Sequence, residues 1–217
     1  MNMESKDLYA ALMHELKNHL GLLAITIDGI PVTGQQAHDR AVDEARLLCQ
    51  RVVDRLQQAL LMYKAESQAL VPMVDAYSPR DLATELRDTA ASLARGRLEV
   101  DVWAADDVPA LWFLDRNLVE MALINAIHNS LGYAKNRIRI GLAMGDGGLE
   151  ISVWDDSEGY PDHVLEAFAN RRPYRSTGTG LGLQFAQRVA EAHENRGKVG
   201  ELRLSNDGGA LFTLSLP

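Results

Sequence analysis

Residues 4–29 and 37–67 each carry an apolar stripe that restricts them to long helices. In the first stretch, apolar side chains recur every three or four residues, the period of one helix face, at Leu8, Leu12, Leu16, Leu20, Leu23, Ile27 and Ile30. In the second stretch they lie at Ala41, Ala45, Leu48, Val52, Leu56, Ala59 and Met62. Residues 30–34, Ile-Pro-Val-Thr-Gly, predict a break between the two helices because proline and glycine interrupt helices.

Two long helices joined by a short loop predict an antiparallel helical hairpin. One hairpin cannot bury its whole apolar stripe, whereas two copies packed as a four-helix bundle can. We therefore expect residues 1–69 to form a hairpin and the chain to form a homodimer through it.

The sequence changes character near residue 70, and residues 70–217 predict an α+β sandwich. Helical patterns cover residues 79–94, 115–133 and 181–195, and strand patterns cover 97–104, 110–115, 136–144, 149–155, 200–205 and 210–217. Glycine-rich turns at 145–148 and 206–209 predict two hairpins. Helices interleaved with antiparallel hairpins favour an architecture in which the helices cover one face of a sheet.

Composition narrows the classes of function. The 217 residues are 47% hydrophobic and carry a formal net charge of −8, which supports an ordinary core and disfavours nucleic-acid binding. The best basic patch for an acidic partner is Arg171, Arg172 and Arg175. No stretch approaches the ~18 apolar residues that span a bilayer, so we expect no membrane insertion. The single cysteine, Cys49, is expected to be a buried thiol in a reducing cytoplasm.

Residues 176–183, Ser-Thr-Gly-Thr-Gly-Leu-Gly-Leu, place three alternate glycines at the start of a predicted helix. Glycine lets the backbone approach a ligand closely, and a helix N-terminus offers unpaired N–H groups to phosphate. A tight loop-to-helix junction also explains the run. Its spacing matches neither the Walker A motif nor the dinucleotide-binding fingerprint.

Two further polar features precede this run. Asp155 ends a strand before a turn with Gly159 and Pro161, where a carboxylate can accept a hydrogen bond from an exocyclic amine. A turn-forming aspartate is the alternative. Asn125 and Asn129 lie four residues apart on one face of the predicted helix 115–133, which suits contacts to magnesium or phosphate, or a hydrated face.

In chain order, the asparagine helix, the Asp-Gly turn, the glycine-rich run and the C-terminal GGALFTLSLP resemble the N, G1 and G2 boxes of the Bergerat-type ATPases. That superfamily includes histidine kinases, gyrase, Hsp90 and MutL. Residues 14–20, HELKNHL, resemble the H box of histidine kinases, although alone they also suit a solvated helix face or a pair of metal ligands. The resemblance implies a dimerisation and phosphotransfer hairpin at 1–69 and an ATP-binding catalytic domain at 70–217.

The resemblance also implies roles for individual residues, with ATP and Mg²⁺ as ligands. His14 matches the phosphoacceptor, Glu15 the acid–base neighbour that polarises its imidazole, and Asn18 a residue that orients the γ-phosphate or a water. Asn129 matches the magnesium-binding asparagine, with Asn125 in support. The other ATP-binding residues that the resemblance implies are Tyr133 beside the nucleotide, Asp155 at the adenine, and Gly159, Thr177, Gly178, Thr179, Gly180, Leu181 and Gly182 in the phosphate-facing loops.

Several positions depart from the family pattern. Ser157 replaces the first glycine of the usual Asp-x-Gly-x-Gly turn, His19 the proline of the H box, and Gly132 the lysine after the second asparagine. The lid between the G1 and G2 boxes, about 162–177, is short, and the usual His-Gly-Gly reads HENRGKVG at 193–200. These departures bear on ATP affinity and autokinase rate more than on the fold.

The other histidines have simpler interpretations. His19 is five residues from His14, so it lies off that residue's helix face. We expect His128, His163 and His193 at the surface or at helix ends.

The resemblance implies a histidine kinase that phosphorylates His14 from ATP and passes the phosphoryl group to an aspartate of a response-regulator receiver domain. A reverse phosphatase activity is left open. No sensory segment is recognisable, so input is expected from a separate sensory protein unless the chain is a fragment. Two alternatives fit part of the pattern. One is a histidine phosphotransferase with a degenerate ATPase domain, and the other is an anti-sigma-factor-like serine kinase or binding module.

Overall fold

The computed structural model describes residues 70–170 and 181–217, together with residues 19–23, 25–27, 29–31, 34, 38, 41–42, 45, 48–49, 52 and 56. The chain divides into two compact units, Met1–Gln68 and Ala69–Pro217. No helix among the described residues is long and apolar enough to cross a bilayer.

The described residues of the first unit fit two helical stretches separated by a break. Residues 19–23 and 25–27 are helical, residues 29–31 are not, and the described residues between 38 and 56 are helical again. The Cys49 thiol is buried, as predicted, and its Sγ lies 3.4 Å from the Leu20 carbonyl oxygen to which it donates. The two stretches therefore lie side by side around residues 20 and 49. Dimerisation through a four-helix bundle stays a prediction.

The second unit contains four helices and nine strands among its described residues. In chain order they are β1 Asp75–Tyr77, α1 Pro79–Ala94, β2 Glu99–Ala104, β3 Trp112–Leu114, α2 Arg116–Tyr133, β4 Arg137–Gly145, β5 Gly148–Asp155, α3 Asp162–Ala169, α4 Leu181–Ala192, β6 Glu194–Asn195, β7 Lys198–Val199, β8 Glu201–Asn206 and β9 Ala210–Leu216. Helix α1 spans the predicted residues 79–94. It begins there because Ser78 caps its N-terminus and Pro79 occupies its first turn, and it ends before Arg95, which adopts a left-handed conformation.

The main sheet has the strand order β2-β4-β5-β9-β8. Strands β4, β5, β9 and β8 pair antiparallel, as the two predicted hairpins require, but β2 pairs parallel to β4. The expectation of antiparallel hairpins alone was therefore incomplete, since the chain crosses over through α2 before it returns as β4. Strands β1 with β3 and β6 with β7 form two small antiparallel sheets.

The core lies between the main sheet and helices α1, α2 and α4. Helix α1 packs on β2 and β4, α2 on β5, and α4 on β8 and β9. Alternate strand residues face these helices and are almost fully buried: Ile138, Ile140, Leu142, Leu149, Ile151, Val153, Phe212, Leu214 and Leu216. The opposite face carries ion pairs between neighbouring strands, such as Arg137 with Glu99 and Arg139 with Asp101. This arrangement confirms the α+β sandwich with helices on one sheet face.

Candidate functional site

Helix α2 is the element that brings the predicted site residues together, and its start is held by a buried network. The Asp115 carboxylate accepts from the Leu118 N–H at 3.1 Å, which caps the helix, and from the Met73 N–H at 2.7 Å. The Asp115 N–H donates to His193 Nε2 at 2.9 Å, and His193 Nδ1 lies 2.7 Å from the Val189 carbonyl oxygen. These partners assign the imidazole proton to Nδ1. The network therefore ties the C-terminal end of α4 to the N-terminus of α2.

His193 lies at a helix end, which is one of the two positions predicted for it. It directly follows α4, and only 3% of it is exposed. His163 is exposed near the start of α3, and His128 is half-buried. One correction concerns residues 194–199, because the helix predicted to reach 195 ends at Ala192 and the β6–β7 hairpin follows. The Gly200 N–H closes that hairpin by donating to the His193 carbonyl at 2.9 Å.

The first half of the site is a close approach between α2 and α4 at Asn125 and Gly182. A Cβ on Gly182 would overlap the amide group of Asn125, so that amide would have to move to admit any side chain there. The Asn125 Nδ2 is buried and has no hydrogen-bond partner among the described residues. One and two helical turns further along α2, Asn129 and Tyr133 are exposed, Tyr133 by 63%. Helix α2 therefore presents an unpaired amide donor and two exposed polar side chains along the predicted face.

The second half of the site is Asp155, at the carboxyl end of β5. Its side chain is buried, with 4% exposed, and both carboxylate oxygens have partners. Oδ2 accepts from Ser130 Oγ at 2.6 Å, and Oδ1 accepts from the Ser157 N–H at 3.0 Å. Because Ser130 lies on α2, this contact joins the β5 turn to the helix that carries Asn125 and Asn129.

The turn after Asp155 is held although its first glycine is replaced. Ser157 does not adopt positive φ, so the serine costs no backbone strain, and its Oγ accepts from the Gly159 N–H at 3.1 Å. Gly159 has φ +88°, and a Cβ there would lie 2.6 Å from Asn206 Cγ, so this position needs glycine. Asn206 clamps the neighbouring residue by accepting from the Tyr160 N–H and donating to its carbonyl.

Asp156 fastens the same turn to the loop between α2 and β4. Its carboxylate accepts from the backbone N–H groups of Lys135, Asn136 and Arg137, at distances between 2.8 and 3.1 Å, and from the Asn136 side chain. Desolvation by burial pushes the pKa of Asp156 upward, but these four sets of donors outweigh it and lower the pKa from 3.8 to about 2. Asp156 is therefore a structural carboxylate beside the candidate site residue Asp155.

Several predicted residues lie outside the described residues. They are His14, Glu15, Asn18, Thr177, Gly178, Thr179 and Gly180, with the basic cluster Arg171, Arg172 and Arg175. Leu181 begins helix α4, and His19 is helical and exposed. The region predicted as a lid, 162–177, begins with helix α3, which the sequence analysis missed, and 171–177 lie outside the described residues.

Sequence reasoning missed four residues that hold the site, Ser130, Asp156, His193 and Asn206. Each acts on a partner at least 19 residues away in the chain, so local patterns carry little signal for them. The position of Ser130 directly after Asn129 was the available hint, because a small hydroxyl is a weak helix former that often serves a polar contact.

The assembled groups fit a nucleotide with a divalent cation. An ionised carboxylate such as Asp155 only accepts hydrogen bonds and retains lone pairs beyond the two that Ser130 and Ser157 use. The unpaired Nδ2 of Asn125 is a donor that suits a phosphate oxygen. The amide oxygen of the exposed Asn129 suits magnesium, because that ion takes few protein ligands beside phosphates and waters.

Comparison with known proteins agrees with this chemistry. Residues 114–217 match the family described as "Histidine kinase-, DNA gyrase B-, and HSP90-like ATPase". The matched span runs from the last residue of β3 through α2, β4, β5, α3 and α4 to the end of the chain, so it contains every described residue of the candidate site.

The similar curated proteins are histidine kinases. The signal transduction histidine-protein kinase AfsQ2 of Streptomyces coelicolor is 36% identical over 147 residues, which cover 63% of this chain and 26% of that protein. The sensor-like histidine kinase SenX3 of Mycolicibacterium smegmatis is 25% identical over 239 residues, which cover 100% of this chain and 58% of that protein. The chain therefore spans less than two thirds of the length of either relative.

Solved structures share the fold. The nucleotide-free catalytic domain of the histidine kinase ThkA aligns with a TM-score of 0.56 and 21% identity, covering 66% of this chain and 97% of that one. Full-length ShkA in complex with AMPPNP aligns with a TM-score of 0.67 and 20% identity, covering 97% of this chain and 45% of that one.

Proposed function

We propose that this chain carries the catalytic core of a histidine kinase. It would transfer the γ-phosphoryl group of ATP to His14 and then to an aspartate of a response-regulator receiver domain. The observation that carries the proposal is the convergence on one helix. Helix α2 meets the glycine of α4 through Asn125 and the β5 carboxylate through Ser130.

Different residues would contact different parts of the nucleotide. Asp155 would accept a hydrogen bond from the amino group of adenine, and Tyr133 would lie beside the nucleotide. Asn125 would donate its unpaired amide hydrogens to phosphate oxygens. Asn129 would hold magnesium, which supplies charge neutralisation of the triphosphate when bound. The glycines Gly178, Gly180 and Gly182, with Thr177, Thr179 and Leu181, would line the phosphate-facing loop.

The transfer step needs three residues of the H box. A nitrogen of the neutral His14 imidazole would attack the γ-phosphorus, and the bond from that phosphorus to the β,γ-bridging oxygen would break, releasing ADP. Glu15 would take up the imidazole proton and stabilise the charge that develops on the ring. Asn18, four residues further along the predicted helix, would orient the γ-phosphate, or a water if the reverse phosphatase reaction operates.

The proposal includes partners for both units. Exposed apolar side chains in the first unit, for example Leu22, Ile25 and Leu48, support dimerisation through the helical hairpin. A response-regulator receiver domain would accept the phosphoryl group, and a separate sensory protein would supply the input. We place the reaction in the cytoplasm, in keeping with a single buried, unpaired cysteine.

The test uses the full chain with γ-labelled ATP and magnesium. We expect an acid-labile, base-stable phosphoprotein. The label should be lost completely in His14→Gln and retained in His19→Gln, which makes the same substitution five residues away as a matched control. Nucleotide binding without labelling, even with a matched activator, would favour the phosphotransferase alternative. Acid-stable label would favour a serine kinase instead, and a protein that binds no nucleotide would rule out the kinase.

A further inference from the structure

Ser130 is placed to control how Asp155 meets a ligand. Its Oγ lies 2.6 Å from Asp155 Oδ2, and both residues are buried, with 5% and 4% exposed. The hydroxyl donates, because an ionised carboxylate can only accept. A donor at this distance is a short, charge-assisted hydrogen bond of the stronger kind.

The other carboxylate oxygen and the backbone of Asp155 also have fixed contacts. The Ser157 N–H donates to Oδ1 at 3.0 Å, so each carboxylate oxygen has one protein donor. The backbone of Asp155 pairs with Ile138 on β4 and Ala210 on β9. Gly209 packs so closely on the Asp155 carbonyl that any side chain there would overlap it. The plane of the carboxylate is therefore set before a ligand arrives, and each oxygen keeps one acceptor position to which none of the described residues donates.

A carboxylate fixed in this way discriminates between purines at their six-position. A six-amino group donates a hydrogen bond to it, whereas a six-carbonyl group directs lone pairs at a negative charge. Discrimination needs the carboxylate to keep its orientation, because a group that can rotate away avoids the repulsion and also loses the directed acceptor.

We propose that Ser130 is a positioning residue that fixes Asp155 and thereby makes the nucleotide site selective for a six-aminopurine over a six-oxopurine. The inference rests on the proposed function, since it assumes that Asp155 contacts the base. Ser130 itself needs no contact with the nucleotide.

The test compares dissociation constants of ATP and inosine triphosphate, measured by calorimetry with magnesium on the full chain. The proteins are the wild type, Ser130→Ala, Ser130→Thr, and Ser92→Ala, which removes an exposed hydroxyl on α1 as a control. We expect Ser130→Ala to weaken ATP binding about tenfold, the size of one charge-assisted hydrogen bond, while inosine triphosphate binding changes less than about twofold. Ser130→Thr keeps the hydroxyl and should keep the wild-type selectivity, as should Ser92→Ala.

The readout is the ratio of the two dissociation constants, which a general loss of stability would not change. An equal loss for both nucleotides, or no loss for either, would show that Ser130 only supports the fold and would overturn the inference while leaving the proposed kinase intact. Wild-type protein that binds neither nucleotide would overturn both, so the two failures are distinguishable.

Discussion

At the scale of single residues, two adjacent aspartates at the end of β5 have opposite tasks. Asp155 is buried against α2 and keeps acceptor positions available, whereas Asp156 turns toward the loop 135–137 and uses its carboxylate on four sets of protein donors. The carboxylate proposed to bind adenine is therefore followed by one that fastens its turn to the end of helix α2.

Replacing Asp156 by asparagine should lower the free energy of unfolding near neutral pH. The folded-state pKa is depressed from 3.8 to about 2, so the carboxylate contributes stability above pH 4 and loses it as the pH falls from about 4 to 2. A shift of this size corresponds to at most about 2.4 kcal/mol, and solvent screening of a partly exposed group reduces it to about 1 kcal/mol.

Urea denaturation at pH 7 and at pH 2.5 measures this effect. The difference between wild type and Asp156→Asn should be present at pH 7 and reduced to about a third at pH 2.5, where the folded-state carboxyl with a pKa of about 2 is only partly protonated. The exposed Asp106→Asn should match wild type at both. A difference that is independent of pH would show that shape rather than charge matters at this position.

Part of the candidate site could be proposed from the sequence, because Asn125, Asn129, Asp155 and Gly159 lie in short motifs; their roles stay predictions. The residues that orient them could not, since their contacts join distant parts of the chain. Ser130 reaches Asp155 across 25 residues, and Asp115 reaches His193 across 78. Only the folded chain brings such pairs within hydrogen-bond distance.

At the scale of elements, long helices and hairpin strands were predictable, whereas short or non-local elements were not. Helix α1 has a one-sided apolar pattern over four turns, α2 is a long run of 18 residues without proline, and the β4–β5 and β8–β9 hairpins have glycine-rich turns. Helix α3 has eight residues and one buried side chain, Val164, too little for a period. The β6–β7 turn places Arg196 and Gly197 at positive φ, and arginine there gave no turn signal.

Glycine to alanine changes in two helices should have opposite effects. In α4, Gly182→Ala would push a methyl group into the Asn125 amide, so we expect a loss of about 2 kcal/mol or more in stability and a loss of nucleotide binding. In α2, a Cβ on the exposed Gly132 would meet nothing within 4 Å, so Gly132→Ala should stabilise by about 0.5 to 1 kcal/mol because alanine is the better helix former.

Thermal unfolding and nucleotide titration of both variants measure the contrast, and each variant is the control for the other. Equal behaviour of the two would contradict the close approach of α2 and α4. If Gly182→Ala lost stability but still bound nucleotide, the close approach of α2 and α4 would support the fold without contributing to nucleotide binding.

At the scale of the whole molecule, the apolar side chains that bear on assembly are those that the described helical residues of the first unit leave exposed. The second unit has a closed core between its sheet and three helices. In the first unit, large apolar side chains stay exposed on described helical residues: Leu22 at 62%, Leu23 at 49%, Ile25 at 69%, Leu48 at 60% and Val52 at 47%. An apolar surface of this kind on a helical hairpin needs a cover, and a second copy with the same surface supplies one.

We therefore expect the full chain to sediment as a dimer of about 48 kDa, twice the 23.9 kDa of one chain. Ile25→Glu would place a charge in the shared apolar core and should shift the species to a monomer at micromolar concentration, since an unpaired charge in such a core costs several kcal/mol. Val199→Glu, at an exposed apolar residue of β7 in the second unit, is the matched control and should remain dimeric. A wild-type monomer, or dissociation by Val199→Glu and not by Ile25→Glu, would place the dimer contact outside the hairpin and contradict the four-helix bundle.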